Sequence, residues 1–176
     1  MLIKIVIVIV AIIVLILVVA LFTRKEYTLQ KEVGISKPQH EVFNYVKMLK
    51  HQNEFNAWYK KDPNTKTEVR GVDGTVGSIY AWESEKNGKG EQETKEVVEG
   101  KALDYELRFI KPFEGKAYNK VRFEALDATQ TRLTSTFTSS MKYPMNIMLL
   151  FINMDKMLGE DMATGLRNIK SNVEAK

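Results

Sequence analysis

The chain has 176 residues, no cysteine, 26 basic against 22 acidic side chains and a net charge of +4. Without cysteine there are no disulfides, thiolate metal sites, cysteine nucleophiles or lipidated cysteine. Beyond the first 26 residues the balance falls to 23 basic against 21 acidic, too even for a nucleic-acid surface, and the remaining length suits one domain with a real core.

From Ile5 through Val10 and Leu15 to Phe22 the chain is apolar without interruption, flanked by Lys4 and by Thr23-Arg24-Lys25. At about 1.5 Å per residue this run spans roughly 27 Å, close to the hydrocarbon thickness of a bilayer. Residues 1–25 therefore read as a transmembrane anchor with a basic flank, and residues 26–176 as a single domain. A cleaved signal peptide has a shorter apolar region and a small-x-small site, which Val18-Val19-Ala20 supplies poorly. A helix of a soluble core has a polar face, which this run lacks. Arg24, Lys25 and Lys31 after the run outweigh Lys4 and the terminal amine before it, so the positive-inside rule favours a single-pass protein with a cytoplasmic domain.

Tyr27 to Ile35 alternates as a first strand, directly after the anchor, which holds the domain near the membrane. Ser36-Lys37-Pro38 reads as a helix start with Ser36 as cap and Glu41 in the early turns. Val42, Phe43, Val46 and Leu49 give that helix its apolar face, a second short helical piece covers Gln52 to Trp58, and Asp62-Pro63-Asn64 ends it. Strands follow: Lys66 to Arg70, Gly77 to Lys86, then a second hairpin arm from Glu91 to Gly100 after the Asn87-Gly88 turn. Ala102 to Lys111 sets Leu103, Tyr105, Leu107 and Phe109 against Asp104, Glu106 and Arg108, one face apolar and one wet. Lys116 to Leu126 and Thr131 to Lys142 complete the strands. After Pro144, residues Met145 to Val173 read as a single long amphipathic helix. Its apolar residues Ile147, Phe151, Met154, Leu158, Met162, Leu166, Ile169 and Val173 recur in steps of three and four.

That order predicts an α+β fold in which a curved antiparallel sheet surrounds a long C-terminal helix, with two short helices and the N-terminal transmembrane helix added. The terminal helix carries Met145, Met148, Met154, Met157 and Met162, and interior Gly159 and Gly165, each of which costs about 1 kcal/mol relative to Ala. Flexible thioethers and absent side chains suit a surface that adapts to a variable apolar guest; an ordinary core with Met as filler is the simpler alternative. Strand parity points Tyr80, Trp82, Tyr105, Leu107, Phe109, Phe123 and Phe137 inward. With Met148, Phe151 and Ile152 of the helix they form the expected wall of an apolar cavity, although each could equally be core.

His40 and His51 are the only histidines and form no H-E-x-x-H pattern, so no metal and no cofactor are expected; both read as solvated. Glu83, Glu85, Glu91 and Glu93 flank the hairpin turn. Two of them turned inward would make an acid and base pair, whereas a charged outer face guarding exposed strands needs no such role. Gly74, Gly77 and Gly88-x-Gly90 sit at hairpins with no following helix to hold a phosphate.

Laid out in this way, the chain resembles the START-like superfamily, also called SRPBCC or polyketide cyclase-like. The resemblance covers Tyr27 to Glu174. It rests on Pro38-x-x-x-Val42-Phe43, on Trp58 with Asp62-Pro63, on Asp73-Gly74-x-Val76-Gly77-Ser78-x-Tyr80-x-Trp82-Glu83 followed by Lys89-Gly90-Glu91, and on the tail Leu158-Gly159-x-Asp161-Met162-x-x-Gly165-Leu166-x-x-Ile169-Lys170. It implies a helix-grip fold with an apolar cavity for lipids, sterols, polyketides or other hydrophobic small molecules; the added anchor departs from the soluble pattern. The expected function is membrane-tethered binding of a hydrophobic, lipid-like molecule. Two alternatives stand beside it: a cyclase-like or other enzyme using an inward Tyr or Glu, and an interaction domain with a collapsed cavity that docks a membrane-protein partner.

Overall fold

A computed structural model describes all residues from Met1 to Lys176. Helix α1 (Leu2–Phe22) is apolar along its length, and only Ala20 in it is buried, so the helix has no protein core of its own to lie in. Strand β1 (Glu26–Ile35) follows, then α2 (Gln39–Val46), a short 3₁₀ turn (Leu49–His51), α3 (Gln52–Phe55) and α4 (Ala57–Lys61). The strands β2 (Lys66–Arg70), β3 (Ile79–Ser84), β4 (Gly88–Val98), β5 (Ala102–Lys111), β6 (Gly115–Ala125) and β7 (Thr131–Ser140) come next, and α5 (Glu160–Glu174) ends the chain.

The seven strands form one open, curved antiparallel sheet in the order β1-β7-β6-β5-β4-β3-β2. Hairpins join consecutive strands from β2 onward, and β1 adds itself to β7 with Glu26 opposite Ser140 and Ile35 opposite Thr131. Gly88 opens β4 with a φ of +71°, and a Cβ on it would stand 2.0 Å from the Lys111 carbonyl oxygen, so this turn needs glycine. A bulge between Thr94 and Glu96 shifts the register of β4 against β5. It moves the inward set from Gly90, Gln92 and Thr94 to Val97.

The register gathers one set of structures at one end of the sheet. Ser84 pairs with Gly88, Phe109 with Gly115, Ala117 with Ser139 and Glu26 with Ser140. The β3–β4 and β5–β6 turns, the start of β1 and the end of β7 therefore share the end at which α1 joins the domain.

The core lies toward the opposite end. There Phe43 meets Phe123 edge to face at 5.2 Å, and Val42, Leu49, Leu103, Leu133, Leu166 and Ile169 close around them. A smaller cluster of Leu29, Leu149 and Met154 sits between β1 and the segment before α5.

Two local expectations are corrected. Ser36 does not cap α2: Pro38 holds the N-cap position, and the Ser36 amide donates instead to Oε1 of Glu174 at 2.6 Å. The stretch from Met145 to Val173 is not one helix. Met145–Leu150 is a 3₁₀ turn, Asp155–Gly159 is π-helical, and only Glu160–Glu174 is regular α-helix. The Asn153 side chain accepts from the Lys156 amide at 3.1 Å, and so restarts the helix in the manner of an N-cap. The segment before that restart does not continue α5 but lies beside α1, to which Asn146 is bonded.

Candidate functional site

Between the concave face of the sheet and α5 lies a cavity of about 440 Å³ whose border is mostly hydrophobic. That volume and character suit a small-molecule site. Tyr80, Trp82, Tyr105, Leu107, Phe109 and Phe137 all border it, as strand parity requires. Tyr80 stacks with Trp82 at 6.4 Å, and Trp82 meets Phe109 edge-on at 6.0 Å.

The other four expected wall residues lie elsewhere. Phe123 has the right parity, but α2 covers its part of the sheet and takes it into the core. Met148 and Phe151 are exposed because the helix is broken there. Ile152 packs against the Leu29, Leu149 and Met154 cluster.

Residues outside that set also border it, among them Trp58 and Tyr59 of α4, Gln92 of β4, Leu158 of the π-helical turn and Met162 of α5. Trp58 is placed by a short network. Asn56 accepts from the Trp58 amide at 2.9 Å, Asn87 donates to the Trp58 carbonyl at 3.0 Å, and Ser84 donates to Asp62 at 2.5 Å. α4 is thereby fastened to the β3–β4 turn. Gln92 was legible from parity, since it lies between outward Glu91 and Glu93 on the face that carries Trp82.

The polar groups of the border divide into paired and unpaired. Tyr80 donates to Asn53 at 2.6 Å, and Ser135 donates to Asn119 at 2.7 Å. Asp161 is the single bordering carboxylate and accepts from Lys61 at 2.5 Å. The Tyr105 hydroxyl and the Gln92 Nε2 are buried with no hydrogen-bond partner. They stand diagonally on neighbouring strands, for Thr94 is opposite Tyr105 and Gln92 is opposite Leu107. Burial raises the pKa of Tyr105, helped by the charge of Asp73, and burial likewise raises that of Tyr80. Both phenols are thus protonated donors at neutral pH.

The glutamates of the hairpin belong to the outer face. Arg108 holds Glu91 at 2.9 Å, Glu93 at 2.6 Å and Glu106 at 2.8 Å, and Arg70 pairs with Glu91 from the other side. Hydrogen bonds from Lys95 and Arg108 lower the pKa of Glu93, and Lys89 does the same for Glu83; Glu85 is exposed. None of the four borders the cavity. His40 is exposed, whereas His51 is half-buried, not solvated: its ring stacks on Tyr45 at 4.5 Å, and its Nδ1 lies 2.8 Å from the Tyr45 carbonyl oxygen.

Comparison of the whole architecture with solved structures gives a consistent answer. An aromatase/cyclase from Streptomyces sp. R1128 superposes with a TM-score of 0.64 at 13% identity, covering 85% of this chain and 94% of its own. A norcoclaurine synthase point mutant from Thalictrum flavum gives 0.62 at 14% identity, covering 84% and 94%. The Aha1 protein of Colwellia psychrerythraea gives 0.58 at 12%, covering 84% and 96%. The chain has the START-like helix-grip fold. No protein-family model and no curated protein sequence matches it, so the likeness lives in the architecture. In a helix grip of this kind the sheet and the terminal helix are the two jaws, and here they close on the 440 Å³ cavity.

Proposed function

We propose that this helix-grip protein is a membrane-tethered binding module that holds a hydrophobic, lipid-like small molecule between its sheet and α5. The observation that carries the proposal is the cavity itself. It is large, it is walled by aromatic and aliphatic side chains, and its one carboxylate is already tied to Lys61. Removing apolar ligand surface from water at about 25 cal/mol per Å² supplies the driving force, with no catalytic group required. A structural neighbour with this fold, norcoclaurine synthase, is in complex with dopamine and hydroxybenzaldehyde, which supports small-molecule binding as a use of this fold. An enzyme of the cyclase type would use an inward Tyr or Glu: the hairpin glutamates face outward, and the inward phenols Tyr80 and Tyr105 are held protonated by burial, which suits them as hydrogen-bond donors to a guest.

Tethering rests on α1. Asn146 is fully buried and donates through Nδ2 to the carbonyl oxygens of Ala20 at 2.7 Å and Thr23 at 2.9 Å. Cleavage of α1 as a leader would strand that buried amide, at a cost of about 1–3 kcal/mol, so retention of α1 as a single-pass anchor is the consistent role. Flanking charge supports a cytoplasmic domain.

The test is native mass spectrometry of the full chain released from lipid nanodiscs, followed by analysis of the organic extract. The expected result is one apolar molecule per domain. Preparations that carry none, and that take up no fluorescent fatty-acid probe, would defeat the binding function. A reporter active on only one side of the membrane, fused after Lys176, reads the topology.

A further inference from the structure

At the end of the sheet where α1 enters, the domain carries large apolar side chains that no other part of the protein covers. Phe113 is 79% exposed at the tip of the β5–β6 turn, and Phe151 is 83% exposed where the C-terminal helix is broken. Tyr143, Met145, Leu150 and Met157 are exposed beside Phe151. Single exposed apolar residues need no explanation, but massed ones mark a contact surface.

The contacts of this segment with α1 identify its partner. Asn146 is bonded to the last turn of α1, and the Tyr143 hydroxyl donates to the Leu17 carbonyl at 3.4 Å. Leu17 precedes the end of α1 by five residues, which at about 1.5 Å per residue is roughly 7.5 Å along the helix. If α1 spans the membrane, Tyr143 and the turn that follows it lie alongside its final turns, within the depth of about 5–10 Å at which interfacial segments bury their apolar faces. Tyrosine is also a residue enriched at that level. By strand register, Lys25, Lys86, Lys111, Lys116 and Lys142 lie at the same end of the sheet, with Glu26, Glu85 and Glu114 among them. The cavity reaches the same end, where Tyr27, Lys86, Asn87, Pro112 and Leu158 form part of its border.

We propose that residues 143–157, together with Phe113, insert into the headgroup–acyl boundary of the bilayer that α1 spans. The cavity is thereby seated with its anchor-side end against lipid, and an apolar ligand passes from membrane to cavity without crossing water. This rests on α1 being a retained anchor, and it adds a second, non-spanning membrane contact that fixes the orientation of the domain.

Because the chain contains no cysteine, single-cysteine variants report cleanly. Phe113→Cys, Phe151→Cys and the control Val72→Cys, each carrying an NBD fluorophore, are placed in the full chain reconstituted in phosphatidylcholine–phosphatidylglycerol vesicles. These vesicles contain lipids with a nitroxide high on the acyl chain. Val72 is 73% exposed in the β2–β3 turn, at the opposite end of the sheet. The expected result is blue-shifted emission at 113 and 151, with quenching several times stronger than at 72. All three positions are exposed, so the substitutions leave the core untouched, and Met157→Cys serves as a second probe of the segment. Equal quenching at all positions overturns the proposal. Blue-shifted but unquenched labels also overturn it, by placing the patch against a second copy of the chain. Vesicle flotation after a carbonate wash separates the premises: a chain that floats with unquenched labels loses only the seating, and a chain that fails to float loses the anchor as well.

Discussion

The indole of Trp82 occupies the space in which a side chain on Gly90 would stand. A Cβ at position 90 would lie 2.4 Å from Cζ2 of Trp82 and 2.7 Å from the Arg108 carbonyl oxygen, and the two residues are opposed across β3 and β4. The absent side chain is therefore what lets the ring lie against the sheet at the cavity wall. Gly90→Ala forces the indole off or bends β4, with an overpacking cost of about 1–3 kcal/mol. Thermal unfolding of the detergent-solubilised chain should show that loss, together with changed tryptophan emission. An unchanged midpoint would mean that β4 shifts freely.

Trp82→Ala separates a ligand wall from a core. The ring is half-buried and its inner side faces the cavity, so truncation should cost less than the ~3–5 kcal/mol typical of a fully packed tryptophan; about 1–2 kcal/mol is expected. Retention of the co-purified apolar molecule should fall at least about tenfold, the equivalent of ~1.4 kcal/mol of binding. Equal losses of stability and retention would make Trp82 ordinary core.

The fold was readable because each strand alternates. On β5 the odd positions Leu103, Tyr105, Leu107 and Phe109 turn inward, and that parity alone puts three of them on the cavity border. Parity cannot distinguish core from cavity, since both lie on the concave face. Phe123 has the same signal as Tyr105, and only the position of α2, with Phe43 over Phe123, decides its fate. Periodicity failed differently at Phe151. Its helical spacing with Ile147 and Met154 is real, but spacing does not name the partner, and the partner of the Met145–Leu150 turn is α1. The restart at Asn153 depends on one side-chain hydrogen bond, for which an Asn inside an apolar run is a weak sign.

Tyr105→Phe tests whether the guest carries an acceptor oxygen. The hydroxyl is buried and unpaired, so its removal should leave the empty protein unchanged or stabilise it by up to about 1 kcal/mol. If a ligand carbonyl or carboxylate accepts from Tyr105 and the adjacent Gln92 amide, the variant should lose about five- to tenfold in affinity for a fluorescent fatty acid, the worth of one net hydrogen bond. It should lose nothing for a hydrocarbon probe such as pyrene. Equal losses for both probes would assign Tyr105 to shape alone.

Gly165→Ala addresses a glycine whose position on a regular helix calls for no glycine. A Cβ there meets only the Phe55 carbonyl oxygen at 3.7 Å, an ordinary contact, and Gly165 borders the cavity. Alanine should raise stability by about 0.4–1 kcal/mol through helix propensity and a less disordered unfolded chain, while its methyl group narrows the cavity and weakens the bulkiest guests. Calorimetry with a series of fatty acids of increasing length reads both effects. At Gly159 a Cβ would meet Asp155 Oδ1 at 2.5 Å and Lys31 Cε at 2.9 Å, the ends of two flexible side chains whose ion pair must shift, so the gain from alanine there should be smaller.

Glu174 locks the end of α5 to the junction between β1 and α2, accepting from the Ser36 amide at 2.6 Å and from Lys170 at 2.9 Å. The Ser36 hydrogen bond first, and Lys170 second, lower its pKa from the usual 4.5. A lowered native pKa means that the folded chain binds the carboxylate form better than the unfolded chain does. The resulting stability is fully present above the unfolded value and is lost as pH falls through the native one. Glu174→Gln keeps an acceptor for the Ser36 amide but has no charge to lose. At neutral pH the variant should melt below the parent. As pH falls from about 5 toward about 3, through the ordinary carboxylate range, the parent should lose this advantage and the two midpoints should converge. Other carboxylates with lowered pKa, Glu93 among them, act on both proteins and cancel in the difference. Melting curves that stay parallel across this range would show that the carboxylate at position 174 carries no charge-dependent share of the lock.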